Sequence, residues 1–151
     1  MSELFRLAQR FVGEVHEIAG VKASPFIAWC HESVAGGFES DEVPWCSSFL
    51  NRMAWQLRLP RSKSAAARSW LTVGQAVPFS QAQIGDVVIL KRGPAPQPGP
   101  EVVKASGHVC LFAGPGHVPG TFQALGGNQS DGVTVTSFKT DDVLGVRRLV
   151  A

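Results

Sequence analysis

The thiols of Cys30, Cys46 and Cys110 and the imidazoles of His16, His31, His108 and His117 are the groups in this sequence best suited to nucleophilic and acid–base work near neutral pH. Cys46 stands out by position. It lies in "DEVPWCSSFLNRMAW", residues 41 to 55, directly behind Pro44 and Trp45, in what reads as the first turn of a helix. Unpaired N–H groups and the helix dipole at such a terminus favour the thiolate, the form that attacks carbonyls. The same N–H groups could hold a developing oxyanion. The competing reading is a buried structural thiol, since free cysteines are among the most buried residues. Position alone does not choose between the two. Cys30 and Cys110 read as buried apolar fillers, Cys110 because it alternates along a strand.

A nucleophile needs a base. His16 falls on the polar side of the first helical pattern, and His117 in a turn rich in glycine and proline. His31 directly follows Cys30, and helix neighbours point in different directions. His108 opens the run "HVCLFAG" after Gly107, which fixes an imidazole on a rigid strand. A third group must hold that imidazole in its productive tautomer. "ALGGNQSDG" follows the next strand and offers Asn128 first and Gln129 behind it, although the same residues also suit a plain turn. Trp45 and Trp70 could line a substrate groove or belong to the core. Asp41 could meet a substrate ammonium or cap the segment before the helix. Asp86 in "GDVVIL" fits a turn-stabilising role.

The elements that must position these residues follow from periodicity. Apolar residues from Leu4 to Ile18 recur at helical steps, with Ser2 as cap and Gly20 as stop. Ser24-Pro25 opens a short helix, "PFIAWCHESVA", and Pro44 starts the Cys46 helix, whose inward face is Phe49, Leu50, Met53, Ala54 and Leu57. "SKSAAARSWL" reads as a fourth helix. Five strands follow: "GDVVIL", "GHVCLFAG", "TFQALGG", "GVTVTSF" and "VLGVRRLV". Helices first and hairpin-linked strands after them predict an α+β domain, with helices packed on an antiparallel sheet of about five to six strands. The proline-rich stretch around residues 93 to 100 predicts a surface flap between the first two strands.

The chain has 151 residues, 44% of them hydrophobic and 17% charged, with 16 glycines and 10 prolines. That composition suits one globular domain over 1–151 and argues against disorder. The net charge is +2 with Lys and Arg scattered, so there is no nucleic-acid footprint. Three cysteines leave an odd thiol under any pairing, which excludes a disulfide scaffold. Neither a signal-peptide core nor a membrane-length apolar run is present, so the expected product is made in the cytoplasm without a signal peptide.

In this order and with these gaps, "DEVPWCSSFLNRMAW", "GDVVIL", "GHVCLFAG" and "ALGGNQS" resemble the NlpC/P60 and CHAP group of papain-like cysteine peptidases. The likeness is strongest to the small phage- and prophage-associated branch with a W-C-[AS]-x-F-[VL]-N motif and a G-G-N-Q motif, and it covers essentially the whole chain. It implies a papain-like fold, Cys46 as nucleophile, His108 as base and Asn128 at the orienting position. It also implies a peptidoglycan hydrolase without a cofactor, cutting within the stem peptide or between muramic acid and the first alanine. Such a protein acts on the wall after delivery, as a phage lysin or a secreted antibacterial effector. Its expected partners are peptidoglycan and either holin or secretion machinery or an immunity protein, and it is expected to be a monomer with no membrane insertion. The sequence departs from relatives with an acidic third residue. It also contains no tyrosine, so backbone N–H groups at Cys46 must serve the oxyanion. Asp41 and Glu42 are too few for the calcium loop of some relatives, and no metal is expected. A non-catalytic wall-binding module, or a transglutaminase or deamidase on the same triad, are the alternative readings.

Overall fold

The computed structural model describes residues 2–15, 24–37, 44–93, 98–102 and 105–150. Helix α1 (Glu3–Gln9) begins where expected, at Ser2, whose Oγ accepts the Phe5 N–H at 3.1 Å. It ends well before Gly20. The chain turns after Gln9, and Gly13 takes a left-handed φ of +78° so that its N–H reaches the Val133 carbonyl at 3.0 Å. Docking on a strand therefore overrides the helical periodicity, and residues 16–23 lie outside the described part. Helix α2 (Pro25–His31) has its proline in the first turn, where no intrahelical donor is lost. Helix α3 (Cys46–Gln56) is buried on every side from Cys46 to Ala54. The expected fourth helix is instead a 3-10 helix, Ala67–Thr72, preceded by irregular chain.

Six strands form one antiparallel sheet: β1 (Gln75–Val77), β2 (Val87–Lys91), β3 (Gly107–Pro115), β4 (Thr121–Gln129), β5 (Gly132–Lys139) and β6 (Val143–Arg148), in the order β1-β6-β2-β3-β4-β5. The five sequence-read strands are β2 to β6. At three residues, β1 is too short to show alternation. Alternation sorts the sheet into two faces. Val87, Ile89, Val109, Leu111 and Leu125 pack against α1, α2 and α3, whereas Val88, Leu90, Cys110, Phe122 and Ala124 form a second core with Phe79, Phe112 and Phe138. The architecture is α+β. Asp86 holds the turn into β2, accepting the Gln83 N–H at 2.8 Å and a two-pronged contact from Arg148 at 2.7 and 2.9 Å. Among the described residues no helix is long and apolar enough to cross a membrane.

Candidate active site

Cys46 is the first residue of α3 and only 2% exposed. Burial, the largest influence, pushes its thiol up. A hydrogen bond to His108, the charge of that imidazole, a backbone hydrogen bond at Val109 and the Arg92 guanidinium act together in the other direction. The balance leaves Cys46 below the ordinary thiol value. The other two thiols go the opposite way. Burial raises Cys30, outweighing the nearby Arg52, and raises Cys110 further with the help of a Cys46 thiolate. Three buried cysteines thus divide into one whose thiol is held below its ordinary value and two held above it.

His108 supplies the second group. Its Nε2 lies 2.9 Å from Gln129 Oε1, which leaves Nδ1 for the thiol. The Gln129 amide is itself oriented, since its Nε2 donates to the carbonyls of Thr134 at 2.9 Å and Ala124 at 3.2 Å. Its oxygen must therefore face the imidazole, and a carbonyl oxygen only accepts. It follows that His108 Nε2 carries a proton and that Nδ1 of the neutral ring has the free lone pair a base requires. Phe138 lies against the imidazole, with ring centroids 5.2 Å apart.

The residue on His108 is therefore Gln129, which corrects the expectation for Asn128. The reason is a bulge. Regular alternation past Ala124 and Gly126 would bring Asn128 to the His108 face of the sheet. The β4–β5 register instead shifts between Gly126 and Gln129, with Asn128 left-handed at φ +57°. One extra residue is absorbed, and Gln129 takes the inward place. Both glycines of "GGNQ" are sterically required here. A Cβ on Gly126 would stand 2.6 Å from Gln129 Oε1, and one on Gly127 would stand 2.6 Å from the Trp45 ring. Asn128 itself lines a depression beside His108.

Trp45 and Trp70 are fully buried, so neither lines a groove. Trp45 packs edge-on against Phe49, and Trp70 donates its indole N–H to Ser47 Oγ at 2.9 Å. That contact belongs to a polar set that fixes the start of α3 and that sequence reading passed over. Ser47 Oγ donates to Ser64 O at 2.6 Å. Ser48 Oγ meets His31 Nδ1 at 2.8 Å, giving that histidine a structural role. Asn51 Oδ1 accepts the Lys63 N–H at 2.7 Å while its Nδ2 bonds Ser62 and Ser64. Small polar residues at Cys46+1, +2 and +5, on a helix otherwise built for a core, were the available signal. Asp41 and Glu42 lie outside the described residues, as does His16. His117 is exposed on a turn.

Two depressions flank the thiol–imidazole pair. One, of about 470 Å³, is bounded by Cys46, Pro44, Ala66, Arg92 and Ser106, and the other, of about 300 Å³, by His108, Asn128, Arg92 and Ser137. A larger cavity of about 670 Å³ lies between the start of α1 and the β2 turn and is lined by neither cysteine nor histidine. Arg68, wholly buried, ties the described ends of the proline-rich connection to the 3-10 helix. It donates to Gly99 O at 2.7 Å, Pro98 O at 3.1 Å and Ser106 O at 2.9 Å. Residues 94–97 of that connection lie outside the described part. Among the described residues no three His, Cys, Asp or Glu side chains gather as metal ligands would. Compared with known proteins, the chain matches no protein-family model and no curated protein.

Proposed function

We propose that the protein is a papain-like cysteine hydrolase that cuts an amide bond of peptidoglycan. The observation that carries the chemistry is the relay itself: a thiol held below its ordinary value at a helix N-terminus, bonded to an imidazole whose tautomer is set by a buried amide. The wall-peptide substrate rests on the resemblance of the four ordered motifs. His108 Nδ1 takes the Cys46 proton, and the thiolate attacks the scissile carbonyl carbon. The carbonyl electron pair moves onto oxygen, where the N–H groups of the first turn of α3, unpaired within the helix, meet it. His108 then protonates the departing amine as the carbon–nitrogen bond breaks. Water, deprotonated by the same imidazole, releases the acyl group and restores the thiol. The enzyme acts on the wall after delivery, as a phage lysin or a secreted antibacterial effector.

The test is release of soluble muropeptides from purified sacculi. Wild-type protein is expected to release them and Cys46→Ala to release none. Mass spectrometry of the new termini distinguishes a stem-peptide endopeptidase from an amidase. Wild-type levels of release by Cys46→Ala would end this reading.

A further inference from the structure

Arg92 follows the last residue of β2 and is the residue common to both depressions beside the thiol–imidazole pair. It is exposed. Among the described residues it enters no ion pair, the two that form being Arg52–Glu32 and Arg148–Asp86. Neither depression has a carboxylate among its described lining residues, and Lys91 adds a second cation on the His108 side. A guanidinium is a planar fork that matches a carboxylate with two parallel hydrogen bonds. Arg92 borders the same depression as Cys46, where a scissile amide must lie to reach the thiol.

We propose that Arg92 is a carboxylate-recognition residue, and that the site selects amides carrying a free carboxylate next to the bond that is cut. The proposal rests on Cys46 being the nucleophile of a wall-peptide hydrolase and names the feature of the peptide that is read. Stem peptides in which glutamate is linked through its side chain keep an α-carboxylate free beside the amide. Amidation of that group would remove both the charge and one acceptor oxygen, leaving Arg92 facing a neutral carboxamide.

Arg92 also favours the Cys46 thiolate, so loss of rate in a variant would not by itself show substrate recognition. Comparing an anionic with a neutral alkylating reagent removes that ambiguity. Thiolate content affects iodoacetate and iodoacetamide alike, whereas an anion subsite speeds iodoacetate alone. Labelling of Cys46, read by mass spectrometry, is expected to show an iodoacetate-to-iodoacetamide rate ratio that falls about fivefold in Arg92→Ala. It should fall less in Arg92→Lys, and should shrink in the wild type as salt screens the charge. A second arm compares twin stem peptides differing only in a free or amidated α-carboxylate. The wild type should prefer the free acid about tenfold in kcat/KM, and Arg92→Ala should prefer neither.

A fallen ratio with both peptides left intact would keep the anion subsite and sink the hydrolase. Cleavage of both peptides alike, with an unchanged ratio in Arg92→Ala, would keep the hydrolase and overturn the proposal for Arg92.

Discussion

Behind His108 stands a neutral amide where a carboxylate could have been, and the consequence is chemical. Gln129 Oε1 fixes the ring and its tautomer but adds no negative charge, so once Nδ1 has taken the Cys46 proton only the thiolate itself offsets the charge of the imidazolium. Removing the amide should therefore damage orientation first. Gln129→Ala is expected to lower the alkylation rate of Cys46 at neutral pH by on the order of 10- to 100-fold. It should also move the acid limb of the pH profile up toward ordinary thiol behaviour. A merely structural loss would lower the rate without moving that limb. Asn128→Gly, which keeps the left-handed backbone at no steric cost, should leave the profile in place. If Asn128→Gly shifts the limb and Gln129→Ala does not, the relay has been assigned to the wrong side chain. That Cys46 starts a helix and that His108 lies at the start of a strand was legible in sequence, because Pro44 and Gly107 punctuate those starts. The choice between Asn128 and Gln129 was not, because a bulge leaves no trace in residue type beyond a tolerance for positive φ.

At the scale of elements, the site depends on how closely α3 approaches β4. Gly127 is the contact that permits it, with the Trp45 ring and the Phe49 Cβ both within 3 Å of where a methyl group would sit. Neither neighbour is a flexible chain end that could swing aside. Gly127→Ala must push the helix off the strand, at a cost of about 1–3 kcal/mol in urea unfolding. Because Trp45 leads directly into Cys46, enhanced thiol reactivity should fall along with stability. Unchanged stability would mean the helix and strand are not in firm contact. The strands and the Cys46 helix were readable from alternation and punctuation. The early end of α1 was not, since the pairing of residues 13 and 15 with Val133 is a long-range event. The tryptophans offered two readings, and burial decides for the core. The polar side chains Ser47, Ser48 and Asn51 show why α3 is not a simple amphipathic helix: it is surrounded, and its polar groups are bonded to the segments that surround it.

Over the whole molecule, the sheet separates two cores, and the three thiols sample three environments. Cys30 lies in the helical core, Cys110 in the aromatic core on the far face, and Cys46 where α3 meets β3. Their pH linkages therefore differ in sign. Cys30 and Cys110 are raised by burial, so the stability they lend is complete below the unfolded thiol value and is lost as pH rises past it. Above an unfolded value of about 8.5, each contributes a falling slope of about 1.4 kcal/mol per pH unit, because only the unfolded chain has released the proton. Cys46 is lowered, so its contribution is present above the unfolded value and is lost as pH falls through its folded one. Once the unfolded thiol is ionised as well, above about pH 9.5, it adds no slope. Urea unfolding under reducing conditions between about pH 9.5 and pH 10.5 separates these cases. The Cys30→Ala/Cys110→Ala double variant should be less stable throughout, because two core side chains are truncated, but its stability should fall less steeply with pH than that of the wild type. Cys46→Ala should keep the wild-type alkaline slope. The comparison of slopes is insensitive to the cavity cost, which shifts every pH equally. Parallel curves for the wild type and the double variant would show that the two thiols ionise as readily in the folded protein as in the unfolded chain, contrary to their burial on opposite faces of the sheet.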